Sequence, residues 1–315
     1  MQLLKEFPNA SEIEFKKRFI ERYSKLTDWN EFKKYSLSFL RKSIRVNTLK
    51  IDFNTLTKRL EKEWALERIP WCDEGLWIEG SRRDIGNLIE HVLGYIYVQE
   101  AASMIPPIVL NPKPSDIVLD MAAAPGSKTT QIAQKMKNKG IIIANDISHE
   151  RLAALGINLQ RCGVSNTITT MMPGHKFKYL ENRFDKILLD APCSGTGSIR
   201  KSVKTIYMWN PNMVKRLAAQ QKQLISVAFS LLKEKGTLVY STCTLEPEEN
   251  EEVIDYLIDN FENVKIEKIK LKIKRSPPVT EFEGKRYSDE VKKCLRIWPQ
   301  DNDTEGFFVA KIKKT

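Results

Sequence analysis

Ile117-Val118-Leu119-Asp120-Met121-Ala122-Ala123-Ala124-Pro125-Gly126-Ser127-Lys128-Thr129-Thr130 is the stretch that decides the fold. An apolar run closes on an aspartate, small residues lead into a Pro-Gly turn, and helical spacing follows over 128–137. Side chains as small as Ala122, Ala123 and Ala124 let the backbone approach a ligand closely. The helix that begins after Gly126 and Ser127 offers unpaired N–H groups at its start. The Gly126-Ser127-Lys128-Thr129 string invites a P-loop reading, but the earlier glycine it requires is missing, Ala122 lying near that place, and no GxGxxG is present. What remains is a strand–turn–helix loop for a nucleotide-like cofactor, with Lys128 at its end.

Outward from this loop the same rhythm repeats. Strands are predicted at 116–120, 140–146, 166–171, 184–190 and 237–243, and helices at 128–137, 149–162, 211–232 and 248–260. Strands alternating with helices argue for a parallel, doubly wound α/β sheet with right-handed crossovers. The chain then closes on two strand-like runs, 294–298 and 306–312, which predict an antiparallel hairpin. That ending is typical of Rossmann-like methyltransferases rather than of nicotinamide dehydrogenases. Residues 265–287, between the helix at 248–260 and these runs, are basic and irregular, and are expected to form an exposed insertion.

Ahead of the sheet, 11–41 has helical spacing, 43–49 alternates as a strand, 53–64 reads as a helix, and 66–78 holds short strands broken by Asp73-Glu74-Gly75. These make a small α+β module. Pro106, Pro107, Pro112 and Pro114 punctuate the junction. The expected division is a small α+β domain over 1–105 and a larger α/β domain over 106–315.

Composition narrows the class. Hydrophobic residues make 42% of the 315 and charged residues 29%, ordinary for a soluble globular chain. The net charge of +11 favours an anionic partner. Arg200, Lys201, Lys204, Lys215, Arg216, Lys222 and Lys233 fall in a stretch from 191 to 233 that holds no acid. Such a stretch is expected to receive a polyanion across the crevice. Cys72, Cys162, Cys193, Cys243 and Cys294 form no CxxC pair, so neither a zinc ribbon nor a disulfide framework is supported, and no metal is expected. Free thiols, with no signal peptide and no apolar run of membrane-spanning length, point to a cytoplasmic protein away from membranes. A monomer is the default expectation.

Strand ends carry the chemistry. In a doubly wound sheet the loops at the carboxyl ends of strands converge on one crevice. Asp120, Asp146 and Asp190 end strands there, a set that suits a cofactor with a cation and a ribose; S-adenosylmethionine has that chemistry. Asp146, on the strand after the loop, is placed for ribose hydroxyls. Enzymes that methylate an exocyclic amine commonly carry Asn/Asp-Pro-Pro-Tyr after the fourth strand, where this chain reads Asp190-Ala191-Pro192-Cys193. Cys243 follows the next strand, in Ser241-Thr242-Cys243-Thr244. Carbon-5 of a pyrimidine is a poor nucleophile, but a thiolate added at carbon-6 turns the ring into an enamine that can take a methyl group. One thiol serves for attack and a second can assist release, with Asp190 placed to stabilise the adduct. Cys72, Cys162 and Cys294 read as buried small apolar residues.

The chain resembles the Nol/Nop/Sun family of RNA cytosine-C5 methyltransferases, and within it the archaeal members that act on tRNA. The resemblance runs through Arg45-Val46-Asn47-Thr48, Tyr97 to Met104, Asp120 to Thr130, Asn145-Asp146-Ile147-Ser148, Asp190 to Gly197, Ser241 to Thr244 with Glu248-Glu249-Asn250-Glu251, and Gly306 to Ala310. It implies Cys243 as the nucleophile and Cys193 as the group that promotes product release. In DNA cytosine methyltransferases the equivalent Pro-Cys pair supplies the attacking thiol instead. It also implies S-adenosylmethionine contacts from Ala122, Ala123, Ala124, Pro125, Gly126, Ser127, Lys128, Asp146 and Asp190. Arg151 joins them through the family's Asp-x-Ser-x-x-Arg pattern, although a helix-surface salt bridge would explain it too. The family's aspartate after the third strand is absent, since Met171-Met172-Pro173-Gly174-His175 stands there. Ribosomal RNA as the substrate, or a non-catalytic RNA-binding protein of the same fold, are the competing readings.

Overall fold

The computed structural model describes residues 4–81 and 84–315. Residues 11–41 form two short helices rather than one, α1 (Lys17–Tyr23) and α2 (Trp29–Ser36). Asp28 starts the second, its carboxylate accepting the N–H groups of Asn30 and Glu31 at 2.9 and 3.1 Å. Then come β1 (Ser43–Val46), α3 (Phe53–Leu60), β2 (Ala65–Arg68), β3 (Gly75–Glu79), α4 (Ile89–Val92) and β4 (Ile96–Val98). These strands make an antiparallel sheet in the order β2-β3-β1-β4.

That sheet has its own core around Ile44, Leu56, Trp64 and Ile96. The first two helices pack elsewhere: Phe19, Tyr23 and Phe32 share a cluster with Trp209, Leu245 and Trp298. Arg45 on β1 ties the small sheet to the large one. It is buried, with Nε on Gln99 Oε1 at 2.8 Å, Nη2 on Thr130 Oγ1 at 2.8 Å, and Nη1 on Gln134.

The second part holds α5 (Ile105–Leu110), β5 (Ile117–Asp120), α6 (Ser127–Lys135), β6 (Ile141–Asp146), α7 (His149–Cys162), β7 (Thr167–Met171), β8 (Phe184–Asp190), α8 (Lys204–Met208), α9 (Pro211–Leu231) and β9 (Leu232–Thr242). It ends with α10 (Glu251–Asn260), β10 (Val264–Glu267), β11 (Glu281–Phe282), β12 (Lys285–Arg286), β13 (Leu295–Ile297), α11 (Pro299–Asn302) and β14 (Phe307–Lys314). The large sheet runs β10-β14-β9-β8-β5-β6-β7, with β5 to β9 parallel and β14 antiparallel to β9. This is the Rossmann-like methyltransferase sheet. Its central parallel strands are sealed on both faces, which is why Val118, Leu119, Ile187, Leu188, Leu238 and Val239 are all buried.

The carboxyl-terminal end departs from a simple hairpin. The outer edge of β14 is shared, β13 pairing with Phe307, Phe308 and Val309 and β10 with Lys311 to Lys314. Residues 265–287 are therefore not wholly an insertion: they begin in β10, where Ile266 is buried as a sheet residue. The lysines around that isoleucine gave the segment a loop-like composition. No helix among the described residues is long and apolar enough to cross a membrane.

Candidate active site

Strand register builds the site. On the neighbouring parallel strands β8 and β9, Asp190 pairs with Ser241. The loops leaving both strands therefore start side by side, and Cys193 and Cys243 meet with their Sγ atoms 3.4 Å apart. Both thiols are half-buried, whereas Cys72, Cys162 and Cys294 are buried in the core. Gly197 lets the two loops close: its N–H donates to the Cys243 carbonyl at 2.9 Å, and its own carbonyl accepts from Gly306 N–H at 3.0 Å.

The two sulfurs are not equivalent. The contact they share lowers the pKa of Cys243, while that contact and burial push Cys193 well above the ordinary thiol range. Cys243 is thus the sulfur disposed to be the thiolate. The field of that sulfur reaches the ammonium groups of both Lys128 and Lys201.

Asp190 sits between donors. Lys128 Nζ lies 2.6 Å from its Oδ2, and Ser241 Oγ donates to its Oδ1 at 2.7 Å. Burial alone would lower the Lys128 pKa, but Asp190 raises it and keeps the ammonium charged. Lys128, expected on the cofactor loop, thus points across the crevice to Asp190.

The loop itself is shaped as read. Gly126 has φ 104°, a conformation that excludes most side chains, and a Cβ there would lie 2.7 Å from Leu155 Cδ1. Ala124 N–H and Ser148 N–H donate to the two oxygens of Asp146 at 3.3 and 3.1 Å, so that carboxylate is fixed at the rim. Arg151 contacts both parts, its Nη2 donating to the Ala124 carbonyl at 2.6 Å and lying 3.3 Å from Asp146 Oδ2. Asp120 accepts from Thr129 Oγ1 at 2.7 Å through Oδ2, but its buried Oδ1 has no hydrogen-bond partner among the described residues. Burial pushes this carboxyl up to about 7. An orphaned carboxylate oxygen beside a loop of small residues is where a cationic group of a ligand would be accepted.

Several residues of the site escaped the sequence reading. Glu249 Oε2 accepts from Ser194 N–H at 3.0 Å and from Gln221 Nε2 at 2.8 Å, and Gln221 also donates to the Pro192 carbonyl at 2.8 Å. These two residues brace the turn that carries Cys193. Thr129 was legible as part of the loop, but Gln221 lies mid-helix with no local signal at all. The acid-free stretch also changes meaning in three dimensions. Arg200 pairs with Asp303, Lys201 with Glu305, Lys222 with Glu252 and Lys233 with Asp185, each at 2.7 or 2.8 Å. Acids distant in sequence thus neutralise about half of it, and the exposed remainder centres on Lys204, Lys215 and Arg216.

Residues 107–313 match the family described as 16S rRNA methyltransferase RsmB/F, and residues 15–101 match the N-terminal domain of 16S rRNA methyltransferase RsmF. A Pyrococcus abyssi protein named tRNA (cytosine(49)-C(5))-methyltransferase is 52% identical over 305 residues, 96% of this chain and 98% of that one. Ribosomal RNA small subunit methyltransferase F of Psychromonas ingrahamii is 46% identical over 284 residues, but the alignment spans only 57% of its length. Among solved structures, a methyltransferase homologue from Pyrococcus horikoshii superposes with a TM-score of 0.87 at 39% identity, covering 98% of this chain and 100% of that one. NSun6 from Pyrococcus horikoshii, solved with SFG, gives 0.85 at 28% identity, covering 96% and 99%. With both parts of the chain matched in order and the sheet superposing along its length, the protein belongs to the RsmB/F (Nol1/Nop2/Sun) family of methyltransferases.

Proposed function

We propose that this protein methylates carbon-5 of cytosine in RNA, with tRNA as its substrate class, through a transient bond between Cys243 and carbon-6. The observation that carries the reading is the pair of thiols 3.4 Å apart after β8 and β9, a contact that lowers the pKa of Cys243 and raises that of Cys193. A single buried cysteine would need no such partner.

S-adenosylmethionine would supply an electrophilic methyl group and depart as a neutral thioether. The residues that would hold it are Asp120, through its unpartnered oxygen facing the amino group, the backbone of 122–127, and Asp146 at the ribose. Ile147, exposed next to Asp146, offers an apolar surface of the kind a purine ring covers.

The geometry supports these steps for the chain's own residues. The Cys243 thiolate bonds to carbon-6, and the ring electrons it releases form the new carbon–carbon bond at carbon-5. Lys128, held on Asp190, places positive charge beside the ring as negative charge develops there. The proton lost from carbon-5 then passes to solvent, its electron pair restores the ring double bond, and the carbon–sulfur bond breaks. Cys193, which keeps its proton, donates a hydrogen bond to the departing sulfur and so lowers the cost of that cleavage. We assign substrate grip to residues 1–105 together with the exposed cations of the 191–233 stretch, Lys204, Lys215 and Arg216, and chemistry to 106–315.

Transfer of tritium-labelled methyl groups to tRNA and to ribosomal RNA, followed by bisulfite sequencing, tests this reading. We expect 5-methylcytosine in tRNA, with cytosine 49 the first position to inspect, and none with Cys243→Ala. Normal turnover in that variant would remove the nucleophile, and methylation confined to ribosomal RNA would support the second substrate class.

A further inference from the structure

Beyond β10 the chain reads Lys268-Ile269-Lys270-Leu271-Lys272-Ile273-Lys274. Ile269 is buried, and Leu271 and Ile273 pack partly buried against the core, whereas all four lysines are exposed. Neighbouring lysines of the row have Cα atoms no more than about 7 Å apart, and the chain turns at Lys272, where Ile273 N–H donates to the Leu271 carbonyl at 2.9 Å. Between 265 and 275 there are six cations and one acid, Glu267, which pairs with Lys311 at 2.7 Å. Among the described residues, Lys268, Lys270 and Lys272 carry no ion pair, and Lys274 reaches Asp301 only at 3.9 Å.

Both ends of the row lead somewhere. Its lower end opens on a cavity of about 660 Å³ lined by Lys265, Lys268, Lys270, Lys293 and Lys311. Its upper end is clamped to the segment between α11 and β14: Lys274 N–H donates to Asn302 Oδ1 at 3.1 Å, and Asn302 Nδ2 returns a bond to the Lys274 carbonyl at 2.7 Å. Three residues on, Glu305 holds Lys201 at 2.7 Å, and the next residue, Gly306, donates its N–H to the Gly197 carbonyl, whose own N–H donates to the Cys243 carbonyl. A segment of three residues spans at most about 10 Å. The row therefore ends at the rim of the catalytic crevice.

We infer that lysines 268–274 form a phosphate track along which the backbone of the substrate RNA runs from the crevice down the outer edge of the sheet. The inference rests on the RNA reading of the crevice. Lysines at a sheet edge also deter pairing between copies. Here, however, the row runs between the end of the β10 pairing and the bridge of Ser276 to Arg296, a segment that has no ladder of its own to protect.

The test is the salt dependence of binding, measured on the full chain by fluorescence anisotropy with labelled full-length tRNA transcript and no methyl donor. K268Q/K270Q/K272Q/K274Q is compared with K137Q/K139Q, lysines at the opposite end of the sheet. Each phosphate contact contributes roughly 0.7–0.9 to the slope of log K against log salt. The quadruple variant should lose about 3 from that slope, so the advantage of the wild type should shrink on the order of 10²-fold between 50 and 200 mM salt. Turnover at saturating RNA should stay unchanged. An unaltered slope, an equal loss in the control variant, or self-association as the sole defect would overturn the track. Methyl transfer by the wild type, assayed separately, reports on the cytosine reading by itself.

Discussion

Gly197→Ala is the substitution whose effect can be worked furthest from the structure. A Cβ at this position would stand 2.2 Å from the Gly306 carbonyl oxygen and 2.8 Å from that of Cys243, against 3.4 Å for ordinary contact. Both obstacles are backbone, so no side chain can rotate away. The methyl group is about 1 Å short of room, and the Cys243 and Gly306 segments must separate by that amount. Overpacking of this kind costs about 1–3 kcal/mol of stability, which a chain of this size can absorb. The larger effect falls on chemistry, because a misplacement of about 1 Å at reacting atoms costs roughly 10²-fold in rate. The variant should therefore fold, bind RNA with unchanged affinity, and show kcat lowered roughly 100-fold. Single-turnover methyl transfer, paired with RNA binding and thermal unfolding, separates these quantities. A kcat within threefold of wild type would refute the claim that this glycine sets the position of the attacking sulfur.

Alkylation by iodoacetamide, mapped by peptide mass across pH, should label Cys243 at lower pH than Cys193, because the shared hydrogen bond moves the two thiols in opposite directions; Cys193 reacting first would reverse their roles. Asp120 is protonated up to about pH 7 in the free protein, which adds stability below the ordinary carboxylate pKa of 3.8 and loses it as pH rises through about 7. A bound cation favours the charged carboxylate, so S-adenosylmethionine should bind more tightly as pH rises toward 7 and release protons; calorimetry in two buffers of different ionisation enthalpy checks this, and Asp120→Asn should abolish the release. Glu249→Ala strands the Ser194 N–H and frees Gln221, costing about 1–3 kcal/mol in denaturant unfolding; Glu249→Gln, which keeps an acceptor, should recover most of it.

The parallel part of the sheet was legible because its strands are apolar runs ending on Asp120, Asp146 and Asp190, and the helix over 149–162 has the bounds its pattern predicted. The two thiols were legible for the same reason, since strand ends in such a sheet converge. Where the reading fell short, contacts across the chain decide the outcome. Ile266 joins the sheet although the lysines around it mimic a loop. Arg200 and Lys201 look free in sequence, yet Asp303 and Glu305 lie a hundred residues away and quench them. The contact between Lys128 and Asp190 was not legible either, because the two residues lie on the loop after β5 and at the end of β8. Gln221 carries no motif, and Glu249 lies in the Glu248-Glu249-Asn250-Glu251 run without its role being legible there; the packing of α9 against the turn after β8 exposes both.

The decisive measurement is peptide mapping of the species that Cys193→Ala forms with substrate RNA in the presence of methyl donor. With release impaired and attack intact, this variant should accumulate a denaturation-resistant protein–RNA complex, and after nuclease and protease digestion the modified nucleotide should sit on the peptide that contains Cys243. A link to any other residue, or sustained methyl transfer by Cys193→Ala with no complex at any time point, would contradict the account.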